Sequence, residues 1–95
     1  MSAVTLYTTS WCPYCARAKS LLERKGVAWT EINLEDEPAR RAEMIERSGG
    51  MRSVPQIFIG DRHVGGFDEL RELETAGELD QLLGAATREA RASGA

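Results

Sequence analysis

The two cysteines of the chain, Cys12 and Cys15, have two residues between them in the segment TTSWCPYCARAKSLL, from Thr8 to Leu22. A pair with this spacing can close a small disulfide, contribute to a metal site or exchange electrons with another thiol. Zinc normally takes four donors, and the chain offers one histidine, His63, and no second cysteine pair. A permanent disulfide across so short a loop stabilises a fold very little. Redox exchange is therefore the favoured interpretation, with the other two left open.

The residues around the pair predict that it lies between a strand and a helix. The segment AVTLYT alternates and is rich in β-formers, so it predicts a strand. From Pro13 to Gly26 an apolar face repeats at helical spacing, with Pro13 suited to the first turn. Free N–H groups and the dipole at the start of that helix favour a thiolate on Cys12. Cys12 is the predicted nucleophile, and Cys15, one turn along the apolar face, is the predicted buried resolving thiol.

The rest of the chain predicts an α/β fold. VAWTEINL predicts a second strand, and a second helix is predicted from the acidic EDEP to Gly49 and Gly50. A hairpin is predicted with arms at 57–59 and 62–64, and beyond Asp68 the leucine spacing predicts two short helices or one broken at Gly77. A helix between the first two strands makes them parallel. The outline is a thioredoxin-like fold, with a four-stranded mixed sheet flanked by helices.

Length and composition limit the function classes. With 95 residues, 42% hydrophobic and 28% charged, the chain is expected to form one folded domain. A net charge of −3 with mixed signs gives no basic field for nucleic acid. No apolar run is long enough for a membrane span, and the start lacks the pattern of a secretory signal. We therefore expect a cytoplasmic monomer without nucleic-acid or membrane partners.

Three motifs together resemble those of a known family. CPYC after a strand, SVP before the hairpin and GGFDEL after it are similar to the glutaredoxins of the dithiol CPYC type, most similar to the small bacterial glutaredoxin 3 class. The likeness covers the chain through Leu83. It implies a glutaredoxin (thioredoxin-like) domain over residues 1–84, and residues 85–95 are expected to be a polar tail or frayed helix.

The resemblance implies a glutathione-dependent thiol–disulfide oxidoreductase. Such an enzyme reduces protein disulfides through Cys12 and Cys15, and protein–glutathione mixed disulfides through Cys12 alone. Glutathione is the implied co-substrate and no metal is expected. Glutathionylated or disulfide-containing proteins are the implied partners, with ribonucleotide reductase as one candidate acceptor. A redoxin fed by thioredoxin reductase and a glutathione-ligated iron–sulfur carrier stay open as alternatives.

The resemblance also implies a glutathione site. Pro55 is implied to be cis and to face the cysteines, and the backbone of Val54 to bind the cysteinyl part of glutathione. Gly66 permits close approach of the ligand. The γ-glutamyl group is implied to meet the backbone of Phe67 and the backbone and side chain of Asp68. Tyr14 is a candidate wall of the site.

Further contacts are less directly implied. Thr9 stands where many members have a lysine that binds the glycine carboxylate of glutathione. Arg41 and Arg52 are candidates for the missing cation, and the alternative for each is a solvated surface charge. Trp11 is a candidate shield for one side of the site, with packing at the rim as the alternative. Ser53 is a further predicted contact. From the residues alone, Asp68 could be only the N-cap of the third helix, and His63 is expected on the surface of a strand.

Overall fold

The computed structural model describes residues 3–84, so the predicted polar tail at 85–95 lies outside the described residues. The elements follow the predicted order: β1 (Val4–Thr8), α1 (Pro13–Arg24), β2 (Trp29–Asn33), a 3-10 turn (Pro38–Arg40), α2 (Arg41–Arg47), β3 (Gln56–Ile59), β4 (Arg62–Gly65) and α3 (Phe67–Thr75). A last helix, α4, follows over 79–84, where the described part of the chain ends. The predicted break at Gly77 separates α3 from α4.

The four strands form one mixed sheet in the order β2-β1-β3-β4. β1 pairs with β2 in parallel and with β3 antiparallel, and β4 returns antiparallel beside β3. This is the predicted thioredoxin-like arrangement. Because β1 is a central strand, the cysteine segment that follows it begins near the middle of the sheet, at the carboxyl end of β1.

Helices cover both faces of the sheet, and each face has its own apolar cluster. Leu6 of β1 belongs to a cluster beneath α1, α3 and α4, while its neighbour Tyr7 belongs to a second cluster beside α2 that includes Met44. The alternation along β1 therefore serves two cores, and burial of each large apolar side chain contributes about 1.5–3 kcal/mol.

One ion-pair cluster joins the helices on the larger core. Lys25, which follows α1, places Nζ 2.9 Å from a carboxylate oxygen of Glu74 and 2.8 Å from one of Asp80. Hydrogen bonds to Asp80 and Glu74 raise the pKa of the Lys25 ammonium. The end of α1 is thus tied to α3 and α4. None of the helices in the described range 3–84 has the length and apolar character of a membrane span.

Candidate active site

Cys12 caps the N-terminus of α1. Its backbone is extended (φ −124°, ψ 103°), and its sulfur accepts a hydrogen bond from the N–H of Cys15 at 3.1 Å. Pro13 occupies the first turn, where its missing N–H costs no helical bond. Both the N–H donor and the dipole at this end of the helix stabilise negative charge on sulfur, so the site favours a thiolate when the pair is reduced.

Cys15 lies one turn further on, on the buried side of α1. It is 1% exposed, whereas Cys12 is half-buried beside the surface. The two sulfurs form a disulfide in this structure, and the Cα atoms are 5.1 Å apart. An outside reactant can therefore approach Cys12, while Cys15 is placed to react with Cys12 from within.

The segment before β3 faces the cysteines. The Val54–Pro55 peptide bond is cis, as the resemblance implied. Pro55 is buried and Val54 half-buried, and the carbonyl oxygen of Val54 lies 3.7 Å from the sulfur of Cys12. The backbone of Val54 is thus within reach of any group bonded to that sulfur.

A pocket of about 160 Å³ opens beside this contact. Its walls come from α1, the segment before β3, and the start of α3. Seven of the lining residues are predicted site residues: Tyr14, Ser53, Val54, Pro55, Gly66, Phe67 and Asp68. Met51, Gln56 and Glu69 complete the lining. The structure therefore brings together residues that are far apart in the sequence, although no ligand contact tests their roles.

Glu69, rather than Asp68, caps α3. Gly66 occupies the N-cap position, and its N–H donates to Oε1 of Glu69 at 2.7 Å. Asp68 is the second residue of the helix and is exposed, with Oδ1 3.9 Å from Nη2 of Arg71. The prediction that Asp68 could be only an N-cap is therefore wrong. Its carboxylate stays at the pocket wall, next to N–H groups of a first helical turn that have no helical acceptor.

Three large apolar side chains are exposed around the cysteines. Trp11 is 91% exposed, Tyr14 52% and Met51 46%. Tyr14 and Met51 line the pocket, and the guanidinium of Arg17 lies 5.2 Å from the centre of the Tyr14 ring. Trp11 does not line the pocket. It lies in the loop next to Cys12, and its shielding role stays a prediction.

The predicted cations lie near the pocket but do not line it. Nη1 of Arg41 donates to the carbonyl oxygen of Arg52 at 3.0 Å, and both residues are exposed. This contact joins α2 to the segment that leads into Ser53 and Val54. Thr9 is half-buried and also lies outside the pocket wall. The roles of Arg41, Arg52 and Thr9 toward a ligand remain predictions.

Hydrogen bonds to the end of β2 and to the segment after it hold the loop before Cys12. The N–H of Ser10 donates to Oε2 of Glu35 at 3.0 Å, and Nδ2 of Asn33 donates to Oγ of Ser10 at 3.3 Å. The bonds from Ser10 lower the pKa of the Glu35 carboxyl. These contacts join the loop before Cys12 to the chain around the end of β2.

A buried hydroxyl pairs with a carboxylate where β1 ends. Thr8 is 0% exposed, and its Oγ1 donates to Oε2 of Glu31 at 2.8 Å. Lys19 of α1 places Nζ 3.2 Å from the same oxygen. Burial opposes ionisation of Glu31, but the hydrogen bonds from Thr8, Lys19 and Trp29 outweigh it and lower the pKa. The bonds connect β1, β2 and α1 beneath the cysteine turn.

Sequence reasoning missed two polar residues that line the pocket, Gln56 and Glu69. Gln56 is 1% exposed and its side chain bonds to Ser53, while His63 reaches Oε1 of Gln56 at 2.7 Å. His63 lies on the edge strand β4, as expected, and is half-buried with its ring tilted over that of Phe58. A polar residue directly after Pro55 in an apolar strand was the available signal for Gln56. For Glu69 the signal was its place three residues after Gly66, which is the spacing of a helix-capping pair.

The arrangement can perform thiol–disulfide exchange. An accessible sulfur at a helix N-terminus has a second sulfur behind it and a backbone carbonyl and a pocket in front of it. Within the described range 3–84, no group of three histidine, cysteine, aspartate or glutamate side chains forms a metal site.

Comparison with known sequences identifies close relatives. The model of the glutaredoxin family matches residues 4–64. A protein of Pseudomonas aeruginosa named glutaredoxin is 56% identical over 85 residues, which cover 90% of this chain and all of the relative. Glutaredoxin 3 of Escherichia coli K12 is 51% identical over 83 residues, which cover 87% of this chain and 99% of the relative.

Solved structures agree with the sequence relatives. A crystal structure of a buckwheat glutaredoxin–glutathione complex superposes with a TM-score of 0.82 at 30% identity, covering 90% of this chain and 80% of that one. The solution structure of a glutaredoxin from Brucella melitensis is 57% identical, with a TM-score of 0.73 and coverage of 87% and 89%.

Proposed function

The chain belongs to the glutaredoxin family and is a thiol–disulfide oxidoreductase, and we propose that glutathione is its co-substrate. It reduces protein–glutathione mixed disulfides through Cys12 alone, and protein disulfides through Cys12 and Cys15 together. Glutathionylated and disulfide-containing proteins are its partners, and ribonucleotide reductase is one candidate among them. The cytoplasmic, monomeric state expected from the sequence is kept as part of this proposal.

One observation carries the proposal. The sulfur of Cys12 lies 3.7 Å from the carbonyl oxygen of Val54, at the edge of a pocket lined by both Val54 and Asp68. A glutathione bonded through its sulfur to Cys12 would have its cysteinyl backbone beside Val54, where it can bond as an added strand does. The pocket extends from there to the start of α3, which suits the γ-glutamyl end.

Charged groups in and near the pocket support the same orientation. Asp68 is exposed in the first turn of α3 and can accept from the γ-glutamyl ammonium. The N–H groups of Phe67 and Asp68 can donate to the γ-glutamyl carboxylate. The glycine end would then point toward Arg41 and Arg52, which supply positive charge where Thr9 cannot.

In the monothiol route the Cys12 thiolate attacks the glutathione sulfur of a protein mixed disulfide. The protein leaves as a thiolate, and a disulfide between Cys12 and glutathione forms. The thiolate of a second glutathione attacks the glutathione sulfur of that disulfide, which releases oxidised glutathione and returns the Cys12 thiolate. Of the two cysteines, only Cys12 takes part in this route.

In the dithiol route the Cys12 thiolate attacks one sulfur of a protein disulfide. The Cys15 thiolate then attacks the Cys12 sulfur of the mixed disulfide, which releases the reduced protein and leaves the Cys12–Cys15 disulfide. Two glutathiones reduce that disulfide and become oxidised glutathione. The burial of Cys15 supports this order, because Cys12 is the sulfur that a protein disulfide can reach.

The decisive assay follows NADPH consumption with a glutathione mixed disulfide, glutathione and glutathione reductase. Turnover is expected with this couple and not with thioredoxin reductase, which would instead support the alternative redoxin. A chain without turnover in the glutathione system would refute the proposed co-substrate. A coloured dimer after anaerobic reconstitution with iron, sulfide and glutathione would support the iron–sulfur alternative.

Two serine variants test the roles of the sulfurs. Cys15→Ser is expected to keep reduction of the mixed disulfide and to lose reduction of a protein disulfide. Cys12→Ser is expected to lose both, because Cys15, the other cysteine of the sequence, is buried and out of reach of a substrate. Loss of both activities in Cys15→Ser would contradict the assignment of Cys15 as resolving thiol only.

A further inference from the structure

A chain of hydrogen bonds connects β4 to the segment that faces Cys12. Nε2 of His63 lies 2.7 Å from Oε1 of Gln56. Nε2 of Gln56 donates to the carbonyl oxygen of Ser53 at 3.0 Å and lies 3.3 Å from its hydroxyl oxygen. Ser53 precedes Val54, whose carbonyl oxygen faces the Cys12 sulfur. His63 and Gln56 contact neither sulfur.

The chemistry of the groups fixes which one donates and which one accepts along this series of hydrogen bonds. The carbonyl oxygen of Ser53 can only accept, so the amide nitrogen of Gln56 must face it and the amide oxygen must face His63. The ring nitrogen next to that oxygen must then carry a proton. A flipped amide would place two acceptors against each other at Ser53, so the donor on His63 selects the working orientation.

The position of His63 is itself held by packing. Its ring centre is 4.9 Å from that of Phe58, at an interplanar angle of 32°, and the two residues are opposite each other in the β3–β4 register. Gln56 is 1% exposed, so water has little access to replace a lost hydrogen bond. The chain is therefore a fixed part of the fold, with its free end at the pocket wall.

We propose that His63 and Gln56 are positioning residues for glutathione capture, acting through Ser53 on the backbone of Val54. The proposal rests on the proposed glutathione dependence. By holding the Ser53 carbonyl, the Gln56 amide restrains the turn that carries Val54. The Val54 backbone is then ready for the cysteinyl part of the substrate before the substrate arrives, which lowers the cost of ordering on binding.

Two variants break the chain at different links. His63→Phe keeps an aromatic ring on Phe58 but removes the donor, and Gln56→Leu keeps the volume but releases Ser53. His63→Gln restores a donor and serves as the rescue variant. Val64→Ala is the matched control, because Val64 is also on β4 but packs against the other core cluster, beneath α3.

Steady-state kinetics with a glutathione mixed disulfide separates positioning from a loss of folded protein. An unsatisfied buried group of this kind predicts a KM about tenfold higher in Gln56→Leu and His63→Phe, with kcat within about twofold of the original. His63→Gln and Val64→Ala should keep the original KM. Partial unfolding would instead lower kcat and leave KM unchanged.

A second readout needs no catalysis. In the NMR spectrum of the reduced protein, the Gln56 side-chain amide protons should exchange slowly, and faster in His63→Phe. The backbone amide signals of Val54 should shift in His63→Phe and return in His63→Gln.

The proposal is overturned if both chain-breaking variants fold and keep the original KM, or if His63→Gln behaves like His63→Phe. If the unmodified protein itself fails to turn over the mixed disulfide, glutathione dependence is refuted. The NMR comparison then tests on its own whether His63 and Gln56 position the backbone of Val54. Unchanged Val54 signals in His63→Phe would refute that role.

Discussion

Replacing Gly65 by alanine should destabilise the protein by disrupting the start of α3. Gly65 has φ +117°, a conformation that L side chains rarely adopt. A Cβ built there would lie 2.7 Å from Oε1 of Glu69, the atom that accepts from the N–H of Gly66. The added methyl group therefore strains the backbone and displaces the capping carboxylate.

The magnitude follows from these two costs. A non-glycine residue in so sparsely populated a conformation costs about 1–3 kcal/mol. The Glu69 side chain can swing away from the methyl group, which removes the clash but loses a cap that contributes about 1 kcal/mol. Gly65→Ala should thus lower the free energy of unfolding by about 2–4 kcal/mol, and the melting temperature by roughly 10 °C or more.

Urea unfolding followed by circular dichroism measures this loss. Gly66→Ala is the matched control, because Gly66 has φ −94° and its Cβ would be 3.4 Å from Glu69 and 3.7 Å from the carbonyl oxygen of Pro55. The control should change the free energy of unfolding by less than about 1 kcal/mol. Equal stability of Gly65→Ala and the unmodified protein would refute the reasoning.

A double variant separates strain from the loss of the cap. Glu69→Ala alone should cost about 1 kcal/mol, and adding it to Gly65→Ala should cost almost nothing more, because the cap is already lost. If the two losses simply add, the alanine methyl group does not displace Glu69, and backbone strain alone explains Gly65→Ala.

Three further predictions test the charged groups. Asp68→Asn should raise KM for a glutathione mixed disulfide about tenfold while the melting temperature stays constant, because Glu69 caps the helix; an unchanged KM would exclude Asp68 from binding. Hydrogen bonds from Tyr7 and Arg40 lower the pKa of Glu43, so its stabilisation exists above the ordinary carboxyl pKa and is lost as the pH falls through the lowered value. Melting curves of Glu43→Gln should therefore change less than those of the unmodified protein between about pH 5 and pH 3, and parallel curves would contradict this. The pKa of Lys25 is raised by Asp80 and Glu74, so its stabilisation exists below the ordinary lysine pKa and is lost as the pH rises through the raised value. Urea unfolding above about pH 10.4 should show this loss in the unmodified protein and not in Lys25→Met, and an equal loss in both would refute the role of the ammonium.

The element order was predictable because its signals are local. The alternation before Cys12, the apolar face after Pro13 and the turn at Gly60 each depend on residues within a few positions of one another. The structure confirms the strands, the hairpin and the break at Gly77. The second helix is shorter at its start than predicted, because a 3-10 turn at Pro38–Arg40 precedes Arg41–Arg47.

The polar contacts of the site were less predictable. Gln56 and His63 meet because β3 and β4 pair, and the bulge between Ile57 and Phe58 alters the spacing of that pairing. The sequence pattern pointed to Asp68 as the capping residue, whereas the neighbouring Glu69 accepts from the N–H of Gly66. A difference of one position decides which carboxylate caps α3 and which remains for a ligand. Side-chain geometry, rather than residue type, separated the two.

The sequence by itself determined the chemistry of this protein: two cysteines at the start of a helix, one facing outward and one inward, follow from spacing within a single turn. Only the tertiary structure decided what faces them. The Cys12 sulfur and the Val54 carbonyl are 42 residues apart in the chain and 3.7 Å apart in space. Such a contact depends on how the strands pair and how the segments before α1 and β3 come together, and no pattern of neighbouring residues contains that information.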